Sequence, residues 1–508
     1  MTGRWWPRTG VWGVSRGREA MRPGEITMAE ALRPAGYATG MFGKWHLGEH
    51  YPHTPPGQGF DEFFGMRQGH ANLYFDATLE RDGKPVQTRG YIADVLTDAA
   101  IDFIERRRDR PFFCYVAYNT PHAPFQAPDE YMQRFAAAGL DPELACIYAM
   151  CANIDDNVGR LLDSLDRLQL AGDTIVLFLT DNGPQTPRYN AGMRAYKSSP
   201  HEGGVRVPLF LRWPGRLMPK IVDRIADHVD VYPTLLDLCG VTPPAGPPLD
   251  GRSLRPLMEG DGADWPDRML FTLNSAWTDR ALPRPGGVRT DRYRLVNLNR
   301  YELYDMLADP AQQREISAEE PEVFARLTAG YEQWFSNVTR DGFEFAPIQV
   351  GHTQENPAEL PAHYARIEGG AQFHSRIGYA HEWIEEWTSS DDRLVWDVQV
   401  VRPGDYQVSL DYVCPVGDAG SIVRLAVGGR TVEAPVPGTN LEFIPIPHRV
   451  TDEQTRHRLR WYDMVRWSRL ELGRIKLDLG RQPLVVDAPR IPGGQAMWLH
   501  RIVLRRID

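Results

Sequence analysis

The chain contains 508 residues, of which 42% are hydrophobic and 24% are charged, and its formal net charge is −10. This length is sufficient for about three domains of ordinary size, or for two large ones. The acidic balance disfavours nucleic-acid binding, and no apolar run approaches the ~20 residues that a membrane span requires.

The first three-fifths of the chain alternates predicted helices with apolar runs. Apolar residues at i, i+3, i+4 and i+7 predict an amphipathic helix over residues 92–104. The apolar run 112–118 then predicts a strand buried on both faces. A second helix, from about residue 142 to 170, leads to a similar strand at 174–180. This order predicts an α/β fold with a mainly parallel sheet covered by helices, and ligands bind such sheets at the carboxyl ends of the strands.

From about residue 340 the pattern changes to short strands in which apolar and polar residues largely alternate. The clearest of these segments are residues 395–401, 406–412, 421–427 and 498–504, and Gly/Pro turns separate several of them. This pattern is typical of an all-β sandwich, which we expect to be jelly-roll-like. The polar, proline-containing stretch 349–361 is predicted to be a linker. We therefore expect an α/β domain over residues 1–340 and a β-sandwich over residues 345–508.

Two polar segments directly follow the predicted buried strands. Asp181 and Asn182 precede Gly183, and a carboxylate beside an amide oxygen suits a hard cation such as Ca²⁺. The alternative is an Asn-Gly turn with a solvated aspartate. His122 lies between two prolines at the other strand end, where it is either a functional residue or a structural, solvated one.

Two further segments combine lysine with histidine. Lys44 and His46 are two residues apart, so in an extended segment their side chains share a face and can enter one pocket. A fixed positive charge and a proton donor are what an anionic ester substrate requires. Lys197 precedes His201 in a Gly-rich segment before a predicted strand. The alternative for the Lys44 segment is an ordinary surface loop, and the alternative for the Lys197 segment is a Gly-rich turn into an edge strand.

In this order, the segments resemble the sulfatase family of the alkaline-phosphatase-like superfamily. The likeness covers most of the first 335 residues, and each motif is weak alone whereas the ordered set is specific. The motifs are residues 28–32 (MAEAL), 35–39 (AGYAT), 43–48 (GKWHLG), 59–61 (GFD), 121–124 (PHAP), 180–183 (TDNG), 202–204 (EGG), 230–237 (DVYPTLLD) and 302–305 (ELYD).

The resemblance implies a role for each matching residue. Asp181 and Asn182 correspond to two of the four protein ligands of a divalent ion, usually Ca²⁺. Lys44 corresponds to a lysine that contacts the nucleophile and the sulfate oxygens, and His46 to a histidine that helps to break down the sulfated intermediate. His122 and Lys197 correspond to the pair that holds sulfate and assists the leaving alcohol.

The sequence departs from the family pattern at the nucleophile. Sulfatases carry an early Asp-Asp pair and a Cys/Ser-x-Pro-x-Arg motif whose first residue becomes formylglycine, and neither is found here. None of the five cysteines is followed by x-Pro-x-Arg; they are Cys114, Cys146, Cys151, Cys239 and Cys414. We therefore expect an N-terminally truncated family member that begins inside the family's first helix, lacks a sheet strand and leaves an exposed edge. Weak divalent-ion binding and no sulfatase activity are expected of this chain alone.

The C-terminal segment resembles carbohydrate-binding sandwich modules appended to some bacterial sulfatases. Trp383, Trp387 and Trp396 are candidates for stacking on sugars, and the alternative is that they are packing residues.

The resemblance implies formylglycine-dependent, Ca²⁺-assisted hydrolysis of a sulfated glycan or aryl sulfate. A phosphatase or phosphonate monoester hydrolase of the same superfamily and a glycan-binding pseudoenzyme are the alternatives. Residues 1–23 lack the apolar segment of a signal peptide, whereas the family suggests a periplasmic or secreted protein.

Overall fold

The computed structural model describes residues 1–260, 262, 264–274, 282–446 and 462–508. Its N-terminal sheet has the strand order β4-β3-β2-β1-β5. The strands are β1 (Ala38–Lys44), β2 (Glu62–Met66), β3 (Thr78–Arg81), β4 (Lys84–Gln87) and β5 (Phe112–Ala117). β1 is parallel to both β2 and β5, whereas β3 and β4 extend the sheet as an antiparallel hairpin. The predicted α/β class is confirmed, and the sheet is mixed with a parallel centre.

Helices cover both faces of this sheet. The helices of the described residues are α1 (Met28–Leu32), α2 (Ile92–Arg107), α3 (Asp129–Ala136), α4 (Pro142–Arg167), α5 (Glu202–Val205), α6 (Val231–Leu238), α7 (Arg255–Glu259) and α8 (Pro321–Val338), and not all of them lie on this sheet. α2 and α4 pack against the β5 face that carries Cys114 and Val116. Phe113, on the opposite face, packs with apolar residues of α1 and α6. Both long helices predicted from apolar periodicity are present, and Asp141 caps α4 by accepting a hydrogen bond from Leu144 N at 3.0 Å.

The start of the chain is not helical, so the prediction that it begins inside a helix is wrong. Residues 1–27 form turns and irregular backbone, and the first helix begins at Met28. Gly3 and Gly10 have φ values of 69° and 83°, which a helix does not accommodate. Trp5 instead contacts Trp334 and Phe271 edge to face, which fixes the segment on the surface of a later part of the chain.

The second predicted buried strand lies outside the N-terminal sheet. β6 (Val176–Leu179) pairs antiparallel with β7 (Leu209–Arg212) in a separate two-stranded sheet. Among the described residues, no strand pairs with the second edge of β5 or with that of β6. Both strands are therefore half-buried instead of buried on both faces as predicted.

A four-stranded antiparallel sheet follows. Its order is β11-β10-β9-β8, with β8 (Leu270–Leu273), β9 (Gly286–Arg289), β10 (Tyr293–Asn297) and β11 (Tyr301–Asp305). α8 covers this sheet with Leu327, Tyr331 and Trp334, which belong to one apolar cluster with Val288, Leu295 and Leu303 of the sheet.

The C-terminal part is a sandwich of two sheets, which confirms the prediction. One sheet has the order β12-β17-β22-β19-β20 with β14 added beside β17, and the other has the order β15-β16-β23-β18-β21 with β13 added beside β23. The strands are β12 (Ile348–Val350), β13 (Ala358–Pro361), β14 (Arg366–Glu368), β15 (Gln372–Phe373), β16 (Ile384–Glu385), β17 (Arg393–Val400), β18 (Gly404–Val413), β19 (Ile422–Val427), β20 (Arg430–Pro435), β21 (Ser468–Leu477), β22 (Gly480–Arg490) and β23 (Trp498–Arg506). One apolar core joins both sheets.

Two expectations for this part need correction. Residues 349–361 are not a linker, because β12 and β13 lie within or overlap this stretch and pair with β17 and β23. Trp383, Trp387 and Trp396 are at most 1% exposed, so they are packing residues and cannot stack on a sugar. None of the helices in the described part of the chain has the length and apolar character to cross a bilayer.

Candidate functional site

The predicted site residues follow three strands of the α/β part. Lys44 is the last residue of β1, His122 lies five residues after β5, and Asp181 lies two residues after β6. The carboxyl ends of strands are where ligands bind in such folds. The Asp181 carboxylate lies close enough to Tyr115 of β5 to add to the burial that raises the pKa of that phenol, although β6 does not pair with β5.

Backbone contacts hold the Asp181 and Lys197 segments together. Gly183 N donates to Gly204 O at 3.0 Å, and Lys197 N donates to Pro184 O at 2.8 Å. A Cβ atom on Gly183 would lie 1.9 Å from the carbonyl oxygen of Gly203, so only glycine permits this approach. Buried Glu202, which follows Lys197 in the chain, pairs with Arg294 and so holds the Lys197 segment in place. The structure therefore brings Asp181 and Lys197 into one loop pair.

Lys44 points into the same region. Burial lowers the pKa of the Lys44 ammonium to about 8; the Asp181 carboxylate opposes this shift and the charge of Lys197 adds to it. Such mutual effects require the three charged groups to lie near one another. Two ammonium groups against one carboxylate leave this region with a net positive charge while both lysines are protonated.

His46 and His122 complete the group, which we call the lysine–histidine cluster (Lys44, His46, His122 and Lys197). His46 Nε2 lies 2.8 Å from Val14 O, and His122 Nδ1 lies 2.7 Å from Ala123 O. Because a carbonyl oxygen only accepts, each ring uses this nitrogen as a donor. The second nitrogen of each neutral ring is left with a lone pair that can accept a proton.

Both histidines are neutral at pH 7. The pKa of His46 is lowered to about 3 by burial and by the charge of Lys44. The pKa of His122 is lowered to about 4 by burial and by the charges of Lys44 and Lys197. An anion placed among them would oppose these effects and raise both pKa values, which would make proton transfer available when substrate is bound.

The relation between Lys44 and His46 differs from the sequence expectation. The strand ends at Lys44, and His46 has a φ of 59°, in the left-handed region. Their proximity thus comes from a sharp turn after β1 and not from the alternation of an extended segment. Gly69 makes room for this turn, because a Cβ there would lie 2.4 Å from His46 Nε2.

Three residues beside the cluster were not predicted. Tyr74 Oη donates to His122 O at 2.7 Å. His70 follows β2 and directly follows Gly69, whose backbone approaches the His46 ring. His381, from the β-sandwich, approaches His70 O with Nε2 at 2.9 Å. The strand-end rule that identified His122 could have found His70, whereas no sequence signal connects His70 with a residue 311 positions away.

Asp181 and Asn182 do not by themselves make a cation site. Asn182 N and Nδ2 donate to the two carboxylate oxygens of Asp181, at 3.0 and 2.5 Å. Within the described ranges, no three His, Cys, Asp or Glu side chains converge as metal ligands would. Ca²⁺ takes six to eight oxygen ligands. The two residues supply at most half of the four protein ligands that the resemblance implies, so a cation would require further oxygen ligands.

Comparison with known proteins identifies the family. Residues 1–241 match the sulfatase family model, and residues 196–334 match the model for the C-terminal region of N-sulphoglucosamine sulphohydrolase. The chain is 32% identical to "Uncharacterized sulfatase YdeN" of Escherichia coli over 311 residues, which are 55% of each chain. It is 30% identical to human arylsulfatase A over 373 residues, which are 65% of this chain and 70% of that protein.

A solved structure supports the same assignment. Ps i-CgsB, determined in complex with k-i-k-neocarrahexaose, is 25% identical and superposes with a TM-score of 0.61 over 68% of this chain and 82% of that chain. This chain spans only about half of the length of YdeN. The family matches, the similarity to arylsulfatase A and the shared fold lead to one conclusion: the chain belongs to the sulfatase family of the alkaline-phosphatase-like superfamily.

Proposed function

We propose that the lysine–histidine cluster binds the sulfate group of a sulfate ester and supplies the proton transfers for its hydrolysis. The observation that carries the proposal is the pairing of two ammonium groups with two neutral histidines at the strand ends. Preorganised positive charge stabilises an anionic sulfate and the charge that develops on it during reaction.

Each member of the cluster has a proposed role. Lys44 and Lys197 contact the sulfate oxygens. His122, with its pKa raised by the bound anion, gives a proton to the leaving alcohol together with Lys197. His46 would act as a proton acceptor beside the bound sulfate. Membership of the family and the geometry around Lys44 support these roles.

The nucleophile is the part of the chemistry that these 508 residues do not supply. The family resemblance assigns it to a formylglycine derived from Cys/Ser-x-Pro-x-Arg, and that motif does not occur in this sequence. We therefore propose that this chain binds sulfate esters without turning them over. A glycan-binding role is the corresponding alternative to catalysis.

The proposed ligand is a sulfated sugar or an aryl sulfate. The similarity to human arylsulfatase A and to a structure solved in complex with k-i-k-neocarrahexaose supports these two classes. Binding of inorganic phosphate in preference to sulfate would instead favour the phosphatase or phosphonate hydrolase alternative.

Calorimetric titration of the full chain with inorganic sulfate tests the binding step. Lys44→Ala and Lys197→Ala should each weaken sulfate binding by about tenfold or more, since each removes a charge-assisted contact. Lys84→Ala, an exposed lysine on β4, is the matched control and should bind as the wild type does. Turnover of 4-nitrocatechol sulfate that Asp181→Ala abolishes would overturn the inactivity part of the proposal.

Divalent-ion binding through Asp181 and Asn182 is proposed to be weak. With two side chains as ligands, we expect a Ca²⁺ dissociation constant in or above the millimolar range. Addition of 1 mM Ca²⁺ or of EDTA should therefore leave the thermal midpoint nearly unchanged, because little ligand is bound at that concentration. A Ca²⁺-dependent rise of several degrees that Asp181→Ala removes would contradict this.

A further inference from the structure

His70 has a buried ring nitrogen that no described residue pairs with. The residue is 8% exposed, and no described residue offers its Nε2 a hydrogen bond. A buried polar atom left unpaired is costly, and native proteins rarely tolerate one without a reason. A ligand atom that pairs with Nε2 when the site is filled is one such reason.

The position of His70 points to the anion site. Burial lowers the pKa of His70 well below its ordinary value, and the next contributions come from His381, His122 and Lys44. The ring is thus neutral and lies within electrostatic reach of the cluster members that hold the sulfate in our proposed function. A neutral imidazole can carry its proton on Nε2, where it would donate to an anionic oxygen.

The β-sandwich holds His70 in this place. His381 donates from Nε2 to His70 O at 2.9 Å, and its ring meets the His70 ring edge to face at 5.1 Å. Tyr462 packs on His70 in the same manner, with ring centroids 5.5 Å apart. Two residues of the C-terminal part therefore contact a residue of the sulfate site.

The loop that carries His381 is itself firmly anchored. His381 has a φ of 70°, an unfavourable backbone conformation for a residue with a side chain. Buried Glu382 compensates by accepting hydrogen bonds from Ser375 N and Tyr379 N, at 3.2 and 3.0 Å. Ser15 Oγ, from the start of the chain, also donates to Gly378 O at 3.0 Å. These contacts fix the loop against the α/β part.

We propose that His70 is a substrate-contacting residue whose Nε2 donates a hydrogen bond to an oxygen of the sulfate ester, and that His381 of the β-sandwich is its positioning residue. The inference rests on the proposed function of the lysine–histidine cluster and extends it. The sandwich is then part of the sulfate site and not a separately acting sugar-binding module.

Calorimetric titration of the full chain with inorganic sulfate tests this inference. His70→Phe keeps a ring of similar size and removes both nitrogens, and it should weaken sulfate binding by about tenfold or more. His70→Gln, which retains a side-chain N–H donor, should recover part of the affinity. His352→Phe is the matched control, because His352 Nε2 already pairs with Gln349 Oε1 at 2.7 Å.

Two additional measurements distinguish a sulfate contact by His70 from a purely structural role of this residue. His70→Phe should keep or raise the thermal midpoint, since it removes an unpaired buried nitrogen, whereas a purely structural histidine would destabilise the fold when replaced. In ¹⁵N-histidine-labelled chain, sulfate should shift the His70 Nε2 resonance. His381→Phe should move that resonance before sulfate is added, and should weaken sulfate binding by about threefold or more.

The outcomes distinguish this inference from the proposed function. If Lys44→Ala weakens sulfate binding but His70→Phe binds like the wild type, the role of His70 is refuted and the proposed function stands. If the wild type does not bind sulfate, both are refuted. An unchanged His70 resonance at saturating sulfate also overturns the proposed contact.

Discussion

His374 shows how a single residue can make the stability of the sandwich depend on pH. Its Nδ1 lies 2.8 Å from Glu385 Oε2, its Nε2 lies 3.1 Å from Asp463 Oδ2, and its ring stacks on Trp383 with centroids 3.9 Å apart. Burial alone would lower the pKa of His374, but the hydrogen bonds to Asp463 and Glu385 outweigh it and raise the pKa to about 9. The imidazolium is therefore the form that the folded chain favours.

The raised pKa fixes the sign of the pH effect. The folded chain holds this proton more tightly than the unfolded chain, whose histidine pKa is near 6.5. The stabilisation is complete below pH 6.5 and is lost as the pH rises through about 9. Differential scanning calorimetry should show the thermal midpoint of the wild type falling over this range relative to His374→Gln. A constant difference between the two proteins from pH 6 to 9.5 would contradict the assignment.

Gly183 shows how a close backbone contact between two loops positions the side chains of the candidate site. Its N–H joins the Asp181 loop to Gly204, and a Cβ would collide with the carbonyl oxygen of Gly203. This contact determines where Asp181 and Lys197 lie relative to each other, although glycine contributes no chemistry of its own.

We expect Gly183→Ala to lower the free energy of unfolding by about 1–3 kcal/mol, because the loops must separate to accept the methyl group. Sulfate binding should weaken with it, since Lys197 moves with the displaced loop. Gly159→Ala is the matched control: it lies within α4 with nothing within 4 Å of the added Cβ, and it should raise stability by about 0.5–1 kcal/mol. Urea unfolding measures both changes in the free energy of unfolding. Equal effects of the two substitutions would show that a Cβ at position 183 does not collide with Gly203.

The elements of the fold differ in how well the sequence predicts them. α2 and α4 are long and strongly periodic, so their positions follow from the apolar pattern alone. The pairing of β6 with β7 cannot be predicted in this way, because β7 begins 30 residues after the end of β6 and no local pattern encodes the pairing. The start of the chain, which the family likeness predicts to lie inside a helix, forms turns instead, and Gly3 and Gly10 there have positive φ.

The sequence likewise predicts some residues of the candidate site and not others. The strand-end rule and the family likeness point to Lys44 at the end of β1 and to His122 and Asp181 in the loops after β5 and β6. The contact between His70 and His381 depends on how the α/β part and the sandwich dock, and sequence spacing carries no information about it.

At the scale of the whole molecule, a buried polar contact joins the two parts. His363 Nε2, from the sandwich, lies 3.1 Å from Glu49 Oε1, and both residues are at most 5% exposed. Burial opposes ionisation of Glu49, but His363 outweighs it and holds the pKa of that carboxylate at about 2. Tyr364 Oη also donates to Glu19 at 2.5 Å across the same interface.

We predict that His363→Phe lowers the free energy of unfolding by about 3–5 kcal/mol, because it removes the imidazole that pairs with the buried Glu49 carboxylate and leaves that charge uncompensated by His363. Adding Glu49→Gln to this variant should restore part of the loss, since the neutral amide has a smaller desolvation cost. Urea unfolding of both variants measures the effect. A double variant no more stable than His363→Phe would show that the charge of Glu49 is not the cause.

The unpaired edge of β5 has a consequence for hydrogen exchange. β1 lies between β2 and β5, so strand partners on both sides protect its amides. In β5, alternate amides point away from β1, and no strand among the described residues receives them. We expect these amides to exchange with deuterium much faster than their neighbours in the same strand, since exchange there needs no opening of the sheet. The sheet would thus show alternating slow and fast amides along β5, close to the lysine–histidine cluster.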